Sequence, residues 1–137
     1  NLEINTIISD FSFKVKEKNI DIKFIEKFNK ELVINKQYFY ILFSNLLWNA
    51  IKYNKVGWKI IIILEKNIII IKDTGIWILK KDRQKIFDRF YMWSCSRNCD
   101  GHGIWLSLVK KIADIYKWKI IVNSIEWAGS EFIIKFK

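Results

Sequence analysis

The sequence predicts an α/β fold, a two-layer sandwich in which a mixed β-sheet carries helices packed on one face. Three observations lead there. Isoleucine-rich runs of strand length, Ile60–Leu64 and Ile68–Ile71 foremost, are so apolar that a helix layer must cover at least one side of their sheet. Longer stretches repeat their apolar residues at the helical period of about 3.6. The order of elements reads α, β, β, α, β, β, α, α, β, β, which sorts into one layer of each kind.

Taken in order, Leu2–Lys18 places Leu2, Ile4, Ile7, Ile8, Phe11 and Val15 at helical spacing, and Asn19 ends that helix. A strand over about Ile20–Glu26 and a small one over Glu31–Ile34 follow from their β-branched and aromatic residues. The helix from about Lys36 to Tyr53 gathers Phe39, Leu42, Phe43, Leu46, Leu47, Ala50 and Ile51 on one side. Gly57 suits the positive φ of the turn after it. Trp58–Leu64 and Ile68–Lys72 read as a hairpin through the middle of the sheet, broken abruptly by Asp73-Thr74-Gly75. Lys81–Tyr91 reads as a short helix, Met92–Gly103 as a loop and Ile104–Tyr116 as a helix, with Lys119–Ser124 and Ser130–Phe136 as closing strands.

With 137 residues, 51% of them hydrophobic and 28% charged, the chain is expected to be one globular domain. Its apolar runs are too short to cross a bilayer and no signal peptide opens it, so a soluble chain without membrane insertion is expected. Cys95 and Cys99 make no disulfide framework, which favours a reducing cytoplasm. A net charge of +10 invites a nucleic-acid reading, but the lysines are spread along the whole length, and abundant Ile, Lys and Asn with no Pro is what an AT-rich coding sequence yields. The charge is therefore background, and no nucleic-acid partner is expected. Cys95, Cys99 and His102 fall short of structural zinc spacing.

Three places hold residues with chemistry. Asn45, Asn49, Lys52 and Tyr53 share the polar side of the 36–53 helix, where amide oxygens suit a hard cation and an ammonium suits phosphate, or where the face is simply solvated. Asp73 at a strand end is a turn residue, or a fixed carboxylate for an amino group. Gly101 and Gly103 precede a helix whose free N–H groups favour an anion, although any helix may start so.

In that order the motifs resemble the catalytic ATP-binding domain of sensor histidine kinases, in the GHKL ATPase superfamily. NLLWNAIKY looks like the N box, DTGIWI the G1 box, KIFDRFY the F box and GHGIWLSLVKKI the G2 box, covering essentially the whole chain. By this resemblance Asn49 would ligate Mg²⁺ bridging the ATP phosphates, Asn45 and Lys52 would lie beside the phosphates, and Tyr53 near the nucleotide. Asp73 would accept from the adenine N6 amino group, Gly75 would permit close approach, and Ser130 would join through a water. Residues 92–103 would form the ATP lid, hinged on Phe87 and Phe90, with Gly101 and Gly103 giving N–H groups to phosphate and Arg97 adding charge.

ATP-hydrolysing relatives such as gyrase carry a water-activating Glu where this chain has Asn45, and an amide takes no proton at neutral pH. The resemblance therefore implies transfer of the γ-phosphoryl group to a histidine on a separate dimerisation domain, of the same or a partner chain, and onward signalling to a response regulator. The setting implied is the cytoplasmic part of a membrane-bound sensor. That acceptor segment is not within these 137 residues, so the chain alone is not expected to autophosphorylate.

Trp77 and Trp105 stand where the family has the second glycine of G1 and the third of G2, Leu79 stands at the G1 proline, and Trp58 and Trp127 fall at turns where relatives often have glycine. If Trp77 and Trp105 swing aside, ATP binding survives in weakened form. If they fill the pocket, the alternative is a nucleotide-deficient, kinase-like interaction module.

Overall fold

The computed structural model describes residues 2–27, 33–92 and 103–136. The chain runs through α1 (Leu2–Asp10), α2 (Ser12–Glu17), β1 (Asp21–Glu26), α3 (Lys36–Lys52), β2 (Lys59–Glu65) and β3 (Ile68–Asp73). A 3₁₀ turn (Lys85–Phe87), α4 (Trp105–Ile115), β4 (Lys119–Ile125) and β5 (Gly129–Lys135) complete it. The strands form one mixed sheet in the order β1-β2-β3-β5-β4, parallel only between β1 and β2. The expected two-layer α/β sandwich is thus present.

Helix α3 starts where Asn35 accepts the N–H groups of Gln37 (2.9 Å) and Tyr38 (3.4 Å) on its side-chain oxygen, an N-cap that satisfies two otherwise unpaired donors. Its apolar stripe, Phe39 to Ile51, is buried as the spacing predicts. Against it and the shorter stripe of α4 lie Ile60, Ile62, Ile69, Ile71, Phe132 and Ile134, alternate residues of the three central strands. The opposite sheet face carries a rung of half-buried isoleucines, Ile25, Ile63, Ile70, Ile133 and Ile121, in register across all five strands. The near-continuous apolarity of β2 and β3 has its cause there: one face is core and the other is partly covered by its own neighbours.

Three expected elements differ. The helix over 2–18 breaks at Phe11, whose N–H reaches back to Ile8 (3.2 Å) and whose ring stacks on Trp48 at 6.1 Å. Lys81–Tyr91 keeps only the 3₁₀ turn, because Phe90 takes a φ of 67° and Asp82 spends its carboxylate on the Tyr91 hydroxyl. Val33 and Ile34 lie outside any strand, and Glu31 and Leu32 are outside the described residues.

The turn after β3 is seated on the end of α3. A Cβ added to Gly75 would sit 2.4 Å from the Tyr53 carbonyl oxygen, so glycine alone allows this approach. Gly57 differs: its φ is 78° but the space around it is open. Gly75→Ala is expected to lower stability by about 2–3 kcal/mol, as overpacking against rigid backbone does, and Gly57→Ala by about 1 kcal/mol for the left-handed backbone alone. Urea denaturation of both variants checks the order; equal losses would mean the seat has slack.

Candidate functional site

The polar side of α3 forms one wall of a cleft. Trp48, Asn49, Lys52 and Tyr53 line that wall, and Tyr91, Met92, Gly103 and Trp105 line the other. The enclosed space is about 40 Å³, room for a water and far below the several hundred Å³ of a small-molecule pocket. Asn49 Nδ2 is buried with no hydrogen-bond partner among the described residues. A buried unsatisfied amide costs about 1–3 kcal/mol, so a ligand that engages Asn49 in this cleft recovers that cost. The Lys52 ammonium lies 5.3 Å from the centre of the Tyr53 ring. Asn45, one turn before Asn49, is half-buried and does not line the cleft.

Asp73 does not line it either. The carboxyl group sits at the end of β3, 5% exposed, accepting the Gly75 N–H at 2.8 Å. Burial pushes its pKa up to about 7, while the backbone N–H groups of Gly75 and Ser130 pull the other way. What joins Asp73 to the cleft is backbone: Ile76 N–H donates to the Tyr53 carbonyl at 3.2 Å, next to the Gly75 seat. Thr74 reinforces the join, its hydroxyl donating to Asn54 Oδ1 and to the Lys59 carbonyl, both at 3.3 Å, while the buried Asn54 amide gives its own N–H to Lys59 at 3.0 Å.

The loop that follows is propped by hydroxyls. Ser130 Oγ donates to the Ile76 carbonyl at 3.1 Å, Ser124 Oγ accepts the Ile78 N–H at 2.7 Å, and the two oxygens are 3.1 Å apart. Sequence reasoning missed Ser124, whose pairing with Ser130 exists only in the β4–β5 register. Arg83, also missed, reaches the same loop through the Ile78 carbonyl at 3.4 Å.

The tryptophans part company. Trp77 packs on Trp127, ring centres 4.4 Å apart, and is absent from the cleft lining. Trp105 lines the cleft and is 49% exposed. Gly103 is fixed by contact: its φ is 65°, an added Cβ would lie 2.7 Å from the Tyr91 carbonyl, and its own carbonyl takes the Phe90 N–H at 2.9 Å. Phe87 packs edge-on to Phe132, ring centres 6.5 Å apart. Phe90 is 63% exposed, with the Arg89 guanidinium 4.8 Å from its ring centre, and its N–H is held by the Gly103 carbonyl. Among the described residues no side chain caps the first turn of α4, beside Gly103, and free N–H groups at a helix start favour an anion. Arg97, Gly101, Cys95, Cys99 and His102 lie outside the described residues. Among the described residues no cluster of three His, Cys, Asp or Glu exists to hold a metal, and no helix is long and apolar enough to cross a membrane.

Residues 35–137 match the family described as histidine kinase-, DNA gyrase B-, and HSP90-like ATPase. Among relatives, sensor protein CiaH of Streptococcus pneumoniae is 29% identical over 96% of this chain, which spans 31% of that protein. Heme sensor protein HssS of Staphylococcus saprophyticus is 31% identical over 98% of this chain, spanning 29% of that protein. The chain thus covers under a third of either relative. In structure, the catalytic domain of histidine kinase ThkA superposes with a TM-score of 0.83 at 25% identity, covering 99% of this chain and 90% of that one. Full-length ShkA in complex with AMPPNP gives 0.85 at 18% identity, covering 99% of this chain and 30% of that one, which speaks to the fold.

The Asp73 environment has a sign that can be checked. Its carboxyl holds a proton up to about pH 7 when folded, against an ordinary value of 3.8, so between these values the folded state binds more protons and stability falls as pH rises. The full gap corresponds to about 4 kcal/mol. Asp73→Asn, which cannot ionise, is expected to gain on the parent by about that amount between pH 4 and pH 8 in urea denaturation. Parallel pH curves would mean that Asp73 is ionised throughout.

Proposed function

Because the chain belongs to the family of histidine kinase-, DNA gyrase B-, and HSP90-like ATPases, we propose that it is the ATP-binding catalytic domain of a two-component sensor histidine kinase. It holds ATP for transfer of the γ-phosphoryl group to a histidine on a separate dimerisation domain, which passes it to a response regulator. The setting proposed is the cytoplasmic side of a sensor, with these 137 residues as one catalytic unit. The observation that carries the reading is the half-buried Asn49 in the cleft wall, whose Nδ2 is buried without a partner among the described residues and has its N–H groups to offer to a phosphate oxygen.

The donor set fits Mg²⁺ with phosphate. An amide oxygen is a hard ligand, and Asn49 would hold the metal, which when bound neutralises phosphate charge. Lys52 and the N–H groups opening α4, with Gly101, Gly103 and Arg97, meet the phosphates. Asp73, with Gly75 and Ser130 fixing its loop, receives the adenine amino group, and Tyr53 separates the two ends. Asn45 replaces a water-activating carboxylate, so the bound triphosphate is kept for a protein acceptor and is not hydrolysed.

A second reading, a nucleotide-deficient interaction module, is favoured by the narrow cleft and by Trp105 standing in it. Calorimetric titration with Mg-ATP separates them. The kinase reading expects binding that Asn49→Ala weakens at least about tenfold, as loss of a charge-assisted contact does. Trp105→Gly tightens binding, and Trp77→Gly leaves it unchanged. No heat with either the parent or Trp105→Gly would favour the module. Phosphohistidine formed by the chain alone would contradict the separate acceptor.

A further inference from the structure

The end of α3 is capped in an unusual way. An α-helix leaves its last carbonyls without partners, and a glycine turn commonly supplies the missing N–H groups. Here a side chain from more than 30 residues earlier does much of that work. Lys18 Nζ donates to the carbonyls of Ile51 at 2.9 Å, Lys52 at 2.7 Å and Asn54 at 3.4 Å. The carbonyl between them, Tyr53, goes to Ile76 N–H at 3.2 Å. Four successive carbonyls, 51 to 54, are thus bound by one ammonium and the loop that follows Asp73, the Ile51 carbonyl also taking the Asn54 N–H at 3.4 Å.

Lys18 is itself held at both ends of its peptide unit. Its N–H closes α2 on Lys14 at 3.1 Å, and its carbonyl takes the N–H of Gly57 at 3.0 Å. The side chain is partly buried, so the charge-assisted contacts are weakly screened. A cation at a helix C-terminus also meets the negative end of its dipole.

We propose that Lys18 is a positioning residue of the nucleotide site. By fixing the last turn of α3 it sets Asn49, Lys52 and Tyr53 on the phosphate side. Through the Tyr53 carbonyl it holds the Asp73 loop on the base side in the same frame. Lys18 does not line the cleft and acts through the backbone it binds. The proposal deepens the ATP-binding reading and rests on it for the ligand alone.

The experiment is segment-resolved amide hydrogen exchange on the whole chain, without nucleotide, for the parent, Lys18→Met and Lys18→Arg, with Lys14→Met as a control from the same segment. Lys18→Met is expected to speed exchange about tenfold or more in 51–57 and 74–78 while β4 and β5 keep their protection. Lys18→Arg, which retains charge and donors, restores most of it, and Lys14→Met changes neither segment. A Mg-ATP titration on the same samples should show weaker binding for Lys18→Met and recovery for Lys18→Arg. Unchanged exchange in 51–57 and 74–78, or a uniform rise across the chain, would overturn the assignment. If Lys18→Met does not fold, Lys18→Gln is read the same way. Failure of both the parent and Trp105→Gly to bind Mg-ATP would sink the kinase reading and leave the exchange pattern to decide Lys18.

Discussion

The site depends on one carbonyl oxygen, that of Tyr53. It belongs to the C-cap residue just past α3, beyond the reach of the helix's own N–H groups, and the Ile76 N–H satisfies it. The two chains come so close there that residue 75 has no room for a Cβ, 2.4 Å being well inside contact distance. Helix and strand-end loop thus form one rigid corner. The polar face of α3 stands on one side of that corner and the Asp73 carboxyl on the other, tied by the same backbone contact.

The two sides have opposite electrostatic character. On the helix side the Asn49 amide with its unpartnered nitrogen, an ammonium over a phenol ring and an α4 N-terminus uncapped by any described side chain line up as donors that suit phosphate, while a hard cation is suited by the amide oxygen of Asn49. On the strand side burial pushes a carboxyl up to a pKa of about 7, held by the backbone N–H groups of Gly75 and Ser130, while the nearby Ser130 and Ser124 hydroxyls donate to the Ile76 and Gly129 carbonyls. A group held so far from its ordinary value by burial is characteristic of a binding position. A donor such as an exocyclic amine would stabilise its ionised form and pull that value back down.

The sheet and the two long helices were legible because local pattern and tertiary burial agree: Phe39 to Ile51 at helical spacing, Phe132 and Ile134 alternating with Ile133 and Lys135. The order of polar motifs along the chain was equally legible. Contacts made by single side chains over long separations were not. No pattern around Lys18 announces that its ammonium ends a helix 33 residues on. Phe11 fits the helical stripe it interrupts, and its ring position on Trp48 belongs to tertiary packing. Lys81–Tyr91 has helical composition, yet the Asp82–Tyr91 hydrogen bond and the left-handed Phe90 pull it into a turn. The two tryptophans at glycine positions looked alike in sequence, and only the partner Trp127 separates their fates.

The central claim is that a metal triphosphate and its base occupy both sides of the Tyr53 corner at once. The most direct measurement is two-dimensional NMR of the Asn49 side-chain amide and the Gly75 and Ile76 backbone amides during addition of Mg²⁺ alone, then Mg-AMPPNP. A nucleotide held across the corner shifts all three together with one saturation curve and leaves them unmoved by the metal alone. Shifts confined to Asn49, or no shift at any of the three up to millimolar nucleotide, would contradict it.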